Sequence, residues 1–205
     1  MNKIWIGNGQ LVLPDKIVPG GSVLLEGKKI AAVNVPCPPD ARRVDVDGSY
    51  IMAGFVDIHV HGGGDSDFMD EDASAFPTIA KAHCAHGTTA LCPTTMTCAD
   101  SLLEKTIDLF LEADKEPENG AELLGLHLEG PYFSAASKGA QPIGEQRIPE
   151  REDLERILRR AKGSILRWDA GAAEYGAVCQ GPGGKRGACL SGAQRGDRAG
   201  GIAGL

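Results

Sequence analysis

A short apolar run that ends in two histidines limits the possible folds more than any other feature of this chain. The run is Phe55-Val56-Asp57-Ile58-His59-Val60-His61, and Gly62-Gly63-Gly64 follow it. A near-continuous apolar stretch of this length suits a strand covered on both faces. Residues i and i+2 of a strand project to the same side. His59 and His61 are therefore expected to project together, as two ligands of one divalent metal must. An inward-facing histidine pair in an apolar strand is costly unless it is partnered. The bland alternative is two ordinary polar side chains.

A second stretch, Leu126-His127-Leu128-Glu129-Gly130-Pro131, ends an apolar run with a carboxylate. The Gly-Pro pair is expected to stop the strand there. Glu129 would then sit at the C-terminal mouth of a strand, the side on which parallel α/β barrels hold their chemistry. The two stretches together point to a metal-dependent hydrolase.

The rest of the chain fits this placement. Residues 3–52 read as short strands at Ile4–Ile6, Gln10–Leu13, Ser22–Glu26, Lys29–Val33 and Arg43–Val46, separated by Gly, Pro and Asp turns. Glu26-Gly27-Lys28-Lys29 reads as a hairpin turn. From Phe55 the pattern changes to strands alternating with helices. A helix is expected from Ala75 to His86, with Gly87 at its C-terminus. Thr88–Cys92 reads as a second strand. Asp100 is expected to N-cap a helix reaching about Ala113, whose apolar face is Leu102, Leu103, Ile107, Phe110 and Leu111. Leu123–Leu128 reads as a third strand. A helix over Pro149–Lys162 would turn Leu154, Ile157, Leu158 and Ala161 inward, and Ser164–Arg167 begins a fourth strand. The expected fold is α/β: part of a (β/α)8 barrel over residues 53–169, preceded over 1–52 by short strands that resemble the small β-sandwich portion flanking metal-dependent hydrolase barrels.

Length limits that reading. A full barrel of this type takes about 250 residues, and the chain has 205. After Trp168 the composition also changes. Residues 170–205 hold eleven glycines and eight alanines with no helical or strand period, which predicts loop or disorder. A shifted reading frame is the favoured origin of this stretch, ahead of a fragment boundary or a genuine tail.

Charge and cysteine usage exclude other classes. The net charge of −7 and the absence of a basic run argue against nucleic acid as a partner. No apolar run approaches the roughly 18 residues of a membrane span. The six cysteines show no CxxC spacing, and Met1-Asn2-Lys3-Ile4-Trp5-Ile6 leads straight into a strand-like pattern rather than a signal peptide. Reduced thiols and a cytoplasmic setting are expected.

The motifs resemble the amidohydrolase superfamily, and within it the N-acetylglucosamine-6-phosphate deacetylases. The resemblance runs from about residue 4 to about residue 169. It rests on Met52–Gly64, on His86-Gly87-Thr88-Thr89, on Pro93-Thr94, on His127-Leu128-Glu129-Gly130-Pro131-Tyr132-Phe133 and on Lys138-Gly139-Ala140-Gln141. One departure is Ala53 where the family usually has proline before Gly-Phe. The resemblance implies that Glu129 and two histidines from later strands hold a primary metal, with zinc or iron expected. It implies that His59 and His61 supply a second metal position, used in only some members. Ala140 and Gln141 would contact the substrate, a small amino-sugar phosphate whose N-acetyl group is hydrolysed, and the intact proteins are expected to be homo-oligomers. The catalytic aspartate lies on a late barrel strand with no counterpart here, so no catalytic residue is assigned. The histidines of this chain are 59, 61, 83, 86 and 127. The later ligands are therefore missing, and an inactive chain is expected.

Other residues have plainer readings. His127 shares a strand face with Glu129 and is expected to be a buried donor behind the ligands. His83 and His86 suit a helix C-terminus through the helix dipole. The three glycines permit either close approach of a ligand or a tight loop. Asp65, Asp67, Asp70, Glu71 and Asp72 read as a solvated surface, and Asp57 as a group that orients the histidine strand. Two further functional readings are a different amidohydrolase acting on a cyclic amide or N-acyl substrate, and a non-catalytic fragment.

Overall fold

Strand β1, Lys3–Val12, organises the N-terminal part of the computed structural model. The structure describes residues 3–133, 139–142, 144–147, 150–171 and 189–191. The two short strands expected at Ile4–Ile6 and Gln10–Leu13 are one strand. Asn8 takes a left-handed φ of 61° and the register shifts around it, so the chain bulges instead of breaking. β1 pairs antiparallel with β2, Ile17–Glu26, which pairs with β3, Lys29–Val33. β4, Arg42–Asp45, and β5, Tyr50–Ile51, add parallel to β1. Alternation along β1 buries Trp5, Gly7, Gly9 and Leu11. Leu11, Val23 and Ile51 form a small core of their own.

The chain divides into two compact units, residues 1–54 and 55–205. The second unit begins with β6, Phe55–Val60, followed by a small hairpin of β7, Gly62–Gly63, and β8, Ser66–Asp67. Helix α1, Ala75–Cys84, leads to β9, Thr88–Thr95. Helix α2, Asp100–Glu112, leads through β10, Glu122–Leu123, to β11, Leu126–Phe133. Helix α3, Arg151–Ala161, leads to β12, Ile165–Gly171. β6, β9, β11 and β12 lie side by side and parallel, with β10 also on β9. Parallel strands with helical crossovers make this unit part of a β/α barrel.

Its core lies between the strands and the helices. Phe76, Ile79 and Ala80 of α1, Leu103, Ile107 and Phe110 of α2, and Leu154, Ile157 and Ala161 of α3 join Leu91, Leu126, Leu128 and Trp168 in one buried cluster. Each large side chain here stabilises the fold by roughly 1.5–3 kcal/mol relative to exposure. Three sequence expectations change. β6 is not covered on both faces: Phe55, Val56 and Ile58 are more than half exposed, because β9 is its only ladder partner among the described residues. Leu158 of α3 is also exposed. Asp100 does not cap α2 but is its first residue, after Ala99. Its carboxylate is taken instead by Arg147 and Arg156.

The Gly130-Pro131 pair does not stop the third barrel strand. β11 runs on to Phe133, with a register shift on β12 between Glu129 and Phe133 that accommodates the missing proline N–H. Gly130 has a φ of 96°, and a Cβ there would lie 2.2 Å from Thr97 Oγ1, so only glycine fits. In the glycine-rich stretch read as loop, β13, Cys189–Ser191, pairs parallel with Arg167–Asp169. Backbone pairing along an open strand edge needs no side-chain period, which is why composition misses it. The remainder of 172–205 lies outside the described residues.

Candidate metal centre

His59 and His61 project to one side of β6, and Glu129 of β11 meets them there. The ligand atoms form a tight triangle. His59 Nε2 and His61 Nε2 are 3.1 Å apart, and Glu129 Oε2 lies 3.6 Å and 3.2 Å from them. Tetrahedral zinc with bonds of about 2.0–2.2 Å spaces its ligand atoms about 3.3–3.6 Å apart. The observed spacings of 3.1, 3.2 and 3.6 Å lie from slightly below that range to its upper end.

The strands fix both imidazoles. The His61 ring nitrogen Nδ1 lies 3.2 Å from the carbonyl oxygen of Thr94 on β9. A carbonyl only accepts, so Nδ1 carries the proton, and in the neutral ring Nε2 presents a lone pair to the triangle. That lone pair faces a carboxylate oxygen 3.2 Å away. The same nitrogen lies 3.1 Å from His59 Nε2, so either a shared proton or a divalent cation satisfies the group. Ligand histidines are commonly oriented by a backbone carbonyl on their other nitrogen. Asp57 Oδ1 accepts the His59 backbone N–H at 3.1 Å, which is the orienting contact expected of it. Burial, partly opposed by Glu129, pushes the His59 pKa down and favours the neutral, metal-binding ring.

Behind the triangle, Thr94 ties three strands together. Its hydroxyl accepts from Val60 N–H of β6 at 3.0 Å, donates to Cys92 O at 3.1 Å, and lies 3.2 Å from His127 Nδ1 of β11. His127 is fully buried, with its ring edge-on to His59 at 5.0 Å. Its Nε2 lies 3.1 Å from Asp169 Oδ2, off the line a hydrogen bond requires. Arg167 grips Asp169 through two hydrogen bonds of 2.8 and 2.9 Å. Sequence reading missed Thr94, Arg167 and Asp169 as parts of this site. The alternation rule would have found the last two, since Arg167 and Asp169 are i and i+2 on the fourth strand.

The other candidates fall elsewhere. Ala140 is exposed, whereas Gln141 is buried and its Oε1 accepts the Thr97 N–H at 2.8 Å. Lys138 lies outside the described residues. His83 and His86 stand apart from the triangle, near the end of α1, and the acidic residues from Asp65 to Asp72 form turns in which Asp67 and Asp70 bind backbone N–H groups.

The sequence pattern of the amidohydrolase family matches residues 50–178. This chain belongs to the amidohydrolase family. Its relatives include N-acetylglucosamine-6-phosphate deacetylases. That of Homo sapiens is 29% identical over 158 residues, covering 76% of this chain and 35% of that protein. That of Bacillus subtilis is 31% identical over 138 residues, covering 64% and 35%. Among solved structures, the deacetylase of Thermotoga maritima aligns with a TM-score of 0.61 and 27% identity, over 82% of this chain and 42% of that one. The Pasteurella multocida enzyme has a TM-score of 0.73 at 24% identity, over 84% and 47%, and speaks to the shared fold alone. This amidohydrolase spans about a third of the length of the curated relatives it matches. Among its described residues, no helix is long and apolar enough to cross a membrane.

Proposed function

We propose that this amidohydrolase carries part of the metal centre of an N-acetylglucosamine-6-phosphate deacetylase, with His59, His61 and Glu129 as ligands. The observation that carries the reading is the convergence of His59 Nε2, His61 Nε2 and Glu129 Oε2, with the His61 ring held by Thr94 O. Two imidazoles and one carboxylate suit zinc or ferrous iron. Such an ion, when bound, polarises an amide carbonyl and lowers the pKa of water to near 7.

The chain's own residues position the reactants. β6 and β11 bring the donors to one point, and Ala140 and Gln141 are the residues assigned to contact with the substrate. The reaction assigned to the whole protein is release of acetate from N-acetylglucosamine 6-phosphate, leaving glucosamine 6-phosphate. The intact protein is read as a homo-oligomer. The free thiols Cys37, Cys84, Cys92 and Cys98 agree with a reducing, cytoplasmic setting.

Metal titration tests this reading. The purified chain should bind one equivalent of cobalt or zinc, and Glu129→Gln or His61→Ala should abolish it. Turnover on N-acetylglucosamine 6-phosphate is not expected, because the five histidines offer no further pair at the site. Metal binding that survives both substitutions would overturn the assignment.

A further inference from the structure

The metal reading leaves His83 without a part, yet its geometry is specific. His83 stands in the last turn of α1, and its Nε2 lies 3.0 Å from the carbonyl oxygen of Gly62, the residue after His61. The carbonyl can only accept, so Nε2 carries the proton and donates. The neighbouring carbonyl, that of His61 itself, accepts from Phe68 N–H at 2.9 Å. Phe68 is 1% exposed and packs on Phe76 of the same helix, ring centroids 5.2 Å apart. The chain leaving the ligand strand is thus held at two successive carbonyls, one through the core and one through His83.

The glycines fit this arrangement. A Cβ on Gly63 would lie 3.0 Å from His83 Nε2 and 3.2 Å from its Cδ2. Gly63 is absent from the residues with positive φ. Its lack of a side chain therefore makes room for the His83 ring and is not needed for backbone freedom. A Cβ on Gly62 would lie 2.2 Å from Ser66 O. Both glycines make room for the protein's own groups, whereas the sequence alone left a bound ligand as an equal reading.

We propose that His83 is a positioning residue for the metal centre. By donating to Gly62 O it fixes the backbone beside His61, while Thr94 O fixes the ring. His61 is then constrained at both ends before any ion arrives, which reduces the ordering that binding would otherwise require. This rests on the metal reading above. A dipole role at the helix C-terminus explains a basic residue there, but not a directed bond to Gly62 or a glycine facing the ring.

The test uses the full chain with cobalt(II) as the probe, three variants around His83, and His59→Ala as the control lacking one proposed ligand. His83→Phe keeps a ring without the donor, His83→Gln retains an N–H within reach, and Gly63→Ala crowds the ring from the other side. His83→Phe and Gly63→Ala should weaken cobalt binding by about tenfold, the lower end of what loss of an orienting group costs a metal site. His83→Gln should restore affinity to within about threefold of the parent on the same scale. Amide exchange at Phe68 should quicken in His83→Phe and return in His83→Gln. Unchanged cobalt affinity in His83→Phe, or a His83→Gln variant as weak as His83→Phe, would overturn the proposal. If the parent binds cobalt no better than His59→Ala, the metal reading itself fails. Phe68 exchange then decides the His83 clamp: quickened and rescued supports it, unchanged refutes it.

Discussion

Replacing Thr94 by valine keeps the side chain's shape and removes only its hydrogen bonding. Thr94 is fully buried, as is His127, and Val60 is 5% exposed. The substitution strips partners from Val60 N–H, from His127 Nδ1 and from one lone pair of Cys92 O. Each buried group left unsatisfied costs about 1–3 kcal/mol. The Cys92 carbonyl retains a second lone pair and counts for least. Two groups therefore set a loss of about 2–6 kcal/mol, offset by about 0.8 kcal/mol for the added apolar group. Thr94→Ser is the control. It keeps the hydroxyl and removes one methyl, at about 0.5–1.5 kcal/mol. Urea unfolding followed by Trp168 fluorescence, in a Trp5→Phe background that leaves one indole, reads the second unit alone. With a slope of about 1–3 kcal/mol/M, valine should lower the midpoint by about 0.4 M or more, and serine by less. A valine variant as stable as the serine variant would show that the hydroxyl does not join β6, β9 and β11.

Three further predictions rest on separate parts of the fold. Burial pushes the Cys98 thiol up to about 11, so only roughly 0.1% is thiolate at pH 8 and iodoacetamide should label it slowly, with the rate climbing until about pH 11. Labelling at pH 8 as fast as free cysteine would contradict that burial. Asp108 and Arg160 join α2 to α3 through bonds of 3.0 and 2.6 Å, and the Arg160 hydrogen bond lowers the Asp108 pKa. A folded pKa below the unfolded value adds stability that is present above about pH 4 and lost as pH falls through the folded value. A double-mutant cycle should therefore show a small favourable coupling at pH 7 that fades in acid and in high salt, and equal coupling at pH 2 and pH 7 would refute it. Gln141→Leu should cost about 1–3 kcal/mol by leaving the buried Thr97 N–H without its acceptor, and an unchanged urea midpoint would argue against that contact.

Local chemistry made much of this protein legible in its sequence. The two-residue period placed His59 and His61 on one side of β6, and an apolar run ending in Glu129 marked a strand carrying a carboxylate. Helix periodicity located α1, α2 and α3 to within a few residues. These features depend on neighbours along the chain, which a sequence displays. What the sequence could not supply depended on groups distant in sequence. Asp100 was expected to cap its own helix, but Arg147 and Arg156 claim its carboxylate from 47 and 56 residues away. Gly130-Pro131 was expected to end a strand, but β12 accommodates it with a register shift. Thr94 gave no sign of joining three strands, nor His83 of reaching back 21 residues to Gly62. Periodicity and turn chemistry fix which face a residue occupies, because backbone geometry repeats over two to four residues. Which partner meets that face is decided only when the sheet forms and long-range contacts compete for the same donors and acceptors.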